Sequence, residues 1–222
     1  MPHAPSTTAG VEDVVAVLVL LTEFAMLRAP LLRSQIRLYA FQSLAMSVLA
    51  VVVAATTHTP AVYAVAGISF ILKVVIVPTI MMRLLRNVDV NLAGSSKFGV
   101  ASSILVALGV TVFGFFAVGS LHVRSSQMSS STTLAISSAV VLVAFVLIVL
   151  RSDVVSQAVG FFSLENGVSV ASLAIAAGLP LVAAALFLFD LLVAVVAFGI
   201  IARVHHGHAR TLFTDNIDQL KG

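Results

Sequence analysis

Cysteine is absent from the 222 residues, which excludes disulfides, iron–sulfur clusters and thiolate metal sites on this chain. Charge is nearly absent as well. Asp, Glu, Lys and Arg make up 9% of the chain against 60% hydrophobic residues, and the mean hydropathy is +1.14. Soluble domains carry roughly 25% charged residues, so the composition is that of an integral membrane protein. The six histidines, His3, His58, His122, His205, His206 and His208, fall at no mid-span position, which argues against a membrane cytochrome with His-ligated haem. The net charge of +3 is no nucleic-acid signal, because the cations sit at helix ends. A basic leader is lacking too. Glu12 and Asp13 precede the first apolar run and Arg28, Arg33 and Arg37 follow it, the reverse of a cleaved signal peptide. The first run is therefore expected to be a retained helix.

What is present is apolar sequence in long runs. Seven can be drawn, at about residues 11–27, 36–57, 61–85, 98–121, 132–150, 154–177 and 181–204. Each approaches the ~20 residues that cross ~30 Å of hydrocarbon as a helix. The alternation of a β-barrel is missing, and closed helical hydrogen bonding is the other way across a bilayer. The expected fold class is an all-α integral membrane protein with about seven transmembrane helices.

Ten of the twelve Lys and Arg residues lie in alternate connections and the tail: Arg28, Arg33, Arg37, Arg83, Arg86, Lys97, Arg151, Arg203, Arg210 and Lys221. Arg124 is alone on the opposite side, and Lys73 lies inside the third run. The positive-inside rule then puts the N-terminus outside and the C-terminus in the cytoplasm. Residues 124–133, rich in Ser and Thr, read as a flexible outer linker. They divide an N-terminal four-helix half, 1–123, from a three-helix half, 134–204, with a cytoplasmic tail at 205–222. A weak internal echo crosses the divide: Pro60 opens a run centred on Lys73, and Pro180 opens one centred on Asp190. Transporter-like proteins often contain such repeats.

Two acids carry the chemistry best. Glu165 is nearly centred in the sixth run and Asp190 in the seventh, and a carboxyl group at that depth is expensive and usually functional. Ser169 and Ser172 follow Glu165 at helical spacing and suggest a polar stripe facing protein. Either each acid stays protonated as a packing feature, or it exchanges protons; a carboxyl group that a dry setting keeps neutral is also a proton carrier. Lys73 is too central to snorkel easily and is expected as a proton acceptor or carboxylate partner. Pro78, five residues on, frees the carbonyl of Val74 and is expected to kink the helix beside it. Gln42 is either interhelical glue or part of the same path. Glu23, about a turn from the end of its run, is expected to reach headgroups or Arg28 in a structural role, with a place in the pathway as the alternative. The His205-His206-Gly207-His208 cluster reads as a solvated basic tail rather than a metal site.

The segments Gly160-Phe161-Phe162-Ser163-Leu164-Glu165-Asn166-Gly167, Gly178-Leu179-Pro180 and Phe189-Asp190-Leu191-Leu192-Val193-Ala194 resemble the hydrogenase-4 component E family. These are membrane subunits of group 4 hydrogenase and formate-hydrogenlyase-type complexes. Arg37-Leu38-Tyr39-Ala40-Phe41-Gln42-Ser43-Leu44 and Leu72-Lys73-Val74-Val75-Ile76-Val77-Pro78 look like that family's other segments. The last three runs are also similar to the K subunit of respiratory complex I (NuoK-like) and to the C subunit of multisubunit cation/proton antiporters. In that K subunit two membrane acids are associated with the proton path. Glu165 matches the first, and Asp190 stands where the second is a glutamate.

The resemblance implies a subunit of the bacterial or archaeal cytoplasmic (inner) membrane with no cofactor or metal of its own and no enzymatic activity by itself. Its implied partners are antiporter-like and NuoH-like membrane subunits, together with NiFe hydrogenase and iron–sulfur subunits that carry the redox chemistry. Glu165, Asp190, Lys73 and Gln42 are the expected proton-path residues. The rival readings are a Na⁺/H⁺ antiporter subunit and a purely structural membrane scaffold.

Overall fold

A computed structural model describes residues 7–57, 60–86, 99–119 and 131–176. Its elements are all helices: α1 (Thr7–Arg28), α2 (Leu32–Thr57), α3 (Pro60–Phe70), a π-helical stretch (Ile71–Ile76), α4 (Val77–Arg86), α5 (Val100–Gly119), α6 (Ser131–Leu150) and α7 (Val154–Ala176). Four segments among the described residues are long and apolar enough to cross a membrane: Leu32–Ala55, Ala66–Arg83, Val100–Gly119 and Thr132–Leu150. Over its described residues the chain is all-helical, with several helices apolar enough for a membrane protein. Helices α1 and α7 are as long, at 22 and 23 residues, and like α2 carry several buried polar side chains. The seventh run, with Asp190, and the tail lie outside the described residues.

Boundaries move at several points. Helix α2 starts at Leu32, a turn before the apolar run, because the polar residue Gln35 is buried rather than solvated. Ser131, expected in the outer linker, joins Thr132 and Thr133, where the linker and the fifth run overlap, in the first turn of α6. Thr133 there donates to Asp13 Oδ1 at 2.5 Å, which ties the start of α6 to the start of α1.

Helix α1 is apolar on two sides, and its polar positions decide which side is inside. Glu12, Ala16, Val19, Glu23 and Met26 recur at steps of three and four and are all buried, so they form one stripe down the helix. Val14, Val17 and Leu21, on the other side, are exposed and suit lipid. The same logic runs down α7, where Ser156, Val159, Ser163, Asn166, Val170 and Leu173 are buried toward α1 and α2. A third face of α7 rests on α6. A Cβ at Gly160 would stand 2.8 Å from Ile148 Cγ1, and one at Gly167 2.8 Å from Val140 Cγ1. Small residues let helices in a membrane approach this closely. Helices α6 and α7, from the second half of the chain, pack on α1, α2 and α5 of the first.

The Arg-rich end is closed by a buried corner. Arg151 Nη2 donates to the carbonyls of Leu27 (2.7 Å) and Ala29 (3.2 Å), and Gln35 Nε2 donates to those of Met26 and Ala29. Met26 and Leu27 lie in the last turn of α1, whose carbonyls lack the regular i+4 donors, and Ala29 follows the helix; the Met26 carbonyl also accepts the Ala29 N–H at 3.2 Å. Ser156 donates to Gln35 Oε1 at 2.7 Å, and Asp153 caps α7 by accepting the Ser156 N–H at 2.6 Å. Burial pulls the Arg151 guanidinium below its ordinary pKa, and Asp153 opposes part of that shift. The residue expected to be an ordinary loop cation is therefore a buried clamp.

Candidate functional site: a polar layer between two apolar ones

Two apolar clusters stack along the bundle. One contains Met26, Tyr39, Val77 and Phe162; the other contains Val19, Met46, Val140 and Val170. Between them, in chain order on every contributing helix, lies a polar layer. Glu23 stands between Val19 and Met26, Gln42 between Tyr39 and Met46, and Ser163 and Asn166 between Phe162 and Val170. Each of these four side chains is fully buried.

The layer is one connected network. Gln42 Nε2 donates to Glu23 Oε1 and to the Val19 carbonyl, both at 3.2 Å. Gln42 Oε1 accepts from Ser163 Oγ at 2.6 Å and from Asn166 Nδ2 at 2.9 Å. Ser163 Oγ also touches Glu23 Oε1. Asn166 Nδ2 reaches Ser43 Oγ at 3.1 Å, and Asn166 Oδ1 accepts from Lys73 Nζ at 3.5 Å. Lys73 Nζ in turn lies 3.4 Å from Glu165 Oε1, with both side chains buried. Glu165 is roughly 16 Å along α7 at about 1.5 Å per residue, so the ion pair lies deep in the bundle. A buried ion pair persists only where charge is matched and further hydrogen bonds satisfy it, and Asn166 supplies one of these.

The local helix geometry positions Lys73. Pro78 has no N–H, and its ring crowds the carbonyl four residues back. Beside Lys73 the helix widens to a π-helical stretch over Ile71–Ile76, in which the Val77 N–H bonds the Leu72 carbonyl five residues back. Such a stretch inserts a residue into the turn and rotates the helical turns before it relative to those after it. Lys73 is its buried residue, turned toward α7.

The structure thus brings together three of the four expected path residues, Glu165, Lys73 and Gln42; Asp190 lies outside the described residues, as do His205, His206 and His208. It also corrects the reading of Glu23. That side chain does not reach headgroups or Arg28. It is 0% exposed and bonded to α2 and α7, because the stripe of α1 that carries it faces inward. Asn166, Ser163 and Ser43 were missed as well. Their signal was spacing: Ser163 and Asn166 share a helical face, and Asn166 follows Glu165 directly. Of the stripe expected from Ser169 and Ser172, Ser169 is buried, while Ser172 bonds back to the Val168 carbonyl of its own helix at 2.7 Å.

No family model matches the chain, and no solved structure matches it. It is similar to the uncharacterized protein Rv0085 of Mycobacterium tuberculosis (strain ATCC 25618 / H37Rv), with 27% identity over 192 residues that cover 86% of this chain and 85% of that protein.

Proposed function

We propose that this chain is a non-redox membrane subunit of a complex I-related group 4 hydrogenase or formate-hydrogenlyase-type complex. It contributes a buried carboxylate–lysine proton path and couples the redox module to antiporter-like subunits. One observation carries the reading. Three segments far apart in sequence, each part of the resemblance to the component E family, meet in a single buried layer: Gln42 and Ser43 from α2, Lys73 from the π-helical stretch, and Ser163, Glu165 and Asn166 from α7. Titratable groups at this depth, paired and sealed between apolar layers, suit proton handling better than packing alone. Asp190 joins the path through the resemblance only.

In this reading seven helices cross a bacterial or archaeal cytoplasmic membrane, with the N-terminus outside and the C-terminus in the cytoplasm. The gathering of Arg28, Arg33, Arg37, Arg83 and Arg151 toward one end of the bundle supports that orientation. Affinity-tagged chain isolated from native membranes is expected to bring NiFe and iron–sulfur subunits with antiporter-like and NuoH-like membrane subunits. Recovery of antiporter subunits alone would favour the Na⁺/H⁺ antiporter reading. In the assembled complex, Glu165→Gln and Asp190→Asn are expected to abolish proton pumping while electron transfer continues. Pumping that survives both changes rejects the path and leaves a scaffold.

A further inference from the structure

We propose that Glu23 is a second proton-binding site of this layer, one to which the Lys73–Glu165 pair is linked through Ser163, Gln42 and Asn166. The proposal deepens the proton-path reading and rests on it for a role in transport, whereas the protonation itself stands on geometry.

Ser163 has one hydroxyl proton and lies between two oxygens, Glu23 Oε1 and Gln42 Oε1. Turning the Gln42 amide round does not help. Its Nε2 already serves two acceptors, the Val19 carbonyl and Glu23 Oε1, and the reversed amide would set oxygen against that carbonyl. Asn166 is fixed in the same way, because its Oδ1 faces the Lys73 ammonium and its Nδ2 faces Gln42 Oε1 and Ser43 Oγ. If Glu23 is ionised, one of the two Ser163 contacts is oxygen against oxygen with no proton between. If Glu23 is the neutral acid, its O–H donates to Ser163, Ser163 donates to Gln42, and every contact in the layer has its proton. The second carboxyl oxygen, Oε2, is buried with no hydrogen-bond partner among the described residues, which a neutral acid tolerates far better than a carboxylate does.

The surrounding charges agree. On α1 itself stand Glu12, Asp13 and Arg28; α2 carries only Arg33 and Arg37; α5 and α6 carry no charged residue. Helix α7 brings Glu165, matched by Lys73. At the α6–α7 corner, Arg151 is committed to the carbonyls of Leu27 and Ala29, and Asp153 to the Ser156 N–H. Among the described residues none of these cations is paired with Glu23.

Transfer of the Glu23 proton to water leaves a carboxylate and a hydronium ion. Ser163 then turns its single proton to Glu23 Oε1, and Gln42 Oε1 keeps only its bond from Asn166. Asn166 holds Gln42 with one end of its amide and Lys73 with the other, so the change reaches the ion pair. The two amides do not themselves pass protons; they register whether Glu23 holds one.

Infrared difference spectroscopy on the purified full chain in lipid vesicles at neutral pH tests this. Wild type minus Glu23→Gln is expected to show a protonated-carboxyl stretch that is absent from the variant. That band should shift in Ser163→Ala, where the acid loses its acceptor. It should disappear reversibly as pH is raised, with a shift of the Glu165 band in the same step. A difference spectrum holding only carboxylate bands overturns the proposal. Should Glu23→Gln not fold, Glu23→Asp serves: it moves the acid band if Glu23 is protonated and only carboxylate bands if it is not. The measurement needs no partner subunit, so failure to recover a hydrogenase complex would reject the proposed function and leave this result standing.

Discussion

At the scale of single residues, the layer is a set of groups whose value lies in being complete. Lys73 and Glu165 each lose hydration on burial, and their mutual attraction with the Asn166 bond offsets that loss. Removing one partner strands the other, which typically costs about 3–5 kcal/mol. Lys73→Met is therefore expected to lower the melting temperature of the purified chain sharply. Adding Glu165→Met should restore much of it, since a well-packed apolar pair of similar volume is often neutral or better. A double-mutant cycle from thermal unfolding in detergent checks this, and additive effects would mean that the pair does not interact. Glu165 and Lys73 were legible in the sequence because each interrupts an apolar run near its middle. Glu23 was not, because a carboxyl group near a helix end can reach water unless its neighbours are known. Its stripe-mates Ala16 and Val19 are apolar on a helix that is apolar nearly all round, so periodicity alone did not mark the inward face.

At the scale of elements, two local devices set the geometry. The π-helical stretch before Pro78 turns Lys73 toward α7. Pro78→Ala restores the missing N–H and lets the stretch relax to regular α-helix, which re-aims Lys73 by roughly one residue's rotation about the axis. In the proposed complex proton pumping is expected to fall, while helix content by circular dichroism stays unchanged. The other device is the close approach of α6 and α7. Gly160→Ala pushes a methyl group against Ile148 and the Ala144 carbonyl, and overpacking of this kind costs about 1–3 kcal/mol. Gly109, on α5, has nothing within 4 Å of where its Cβ would stand, so Gly109→Ala should stabilise by up to about 1 kcal/mol through helix propensity. Opposite signs of the two melting-temperature shifts are the expected result. The proline signal was readable in advance as a disturbance at Lys73, but not its form, because the choice between a kink and a wider turn depends on what packs beside the helix.

At the scale of the whole molecule, α1 is held at both ends by groups from the second half of the chain. Thr133 binds Asp13 at one end, and Arg151 and Ser156 hold the α1–α2 turn at the other, Ser156 through Gln35. These ties keep Glu23 in register with Gln42 and Ser163. Arg151→Ala removes the side-chain donor of the buried Leu27 carbonyl, at about 1–3 kcal/mol for an unsatisfied group, while the Ala29 carbonyl keeps its bond from Gln35. Hydrogen exchange should then speed up at the end of α1 and the start of α2 while α5 is unaffected; uniform protection would argue that the corner holds nothing in place. Arg151→Lys is expected to rescue only in part, because an ammonium lacks the planar fork of the guanidinium.

The sequence by itself determined the solvent. With 9% charged residues, burial of the runs in a bilayer and helical closure of their backbone follow from the cost of unpaired polar groups in hydrocarbon. It also determined that Glu165 and Lys73 must be inside something, since neither has a cheap route to water. What only the tertiary structure decided is which polar groups share that interior. Apolar helices carry weak facial preference, so the rotation of each about its own axis is set by its neighbours: glycines that admit α6 against α7, a corner that fixes α1 to α2, and a widened turn that aims Lys73. Those rotations bring Glu23, Gln42, Ser163 and Asn166 into one hydrogen-bonded layer between two apolar ones.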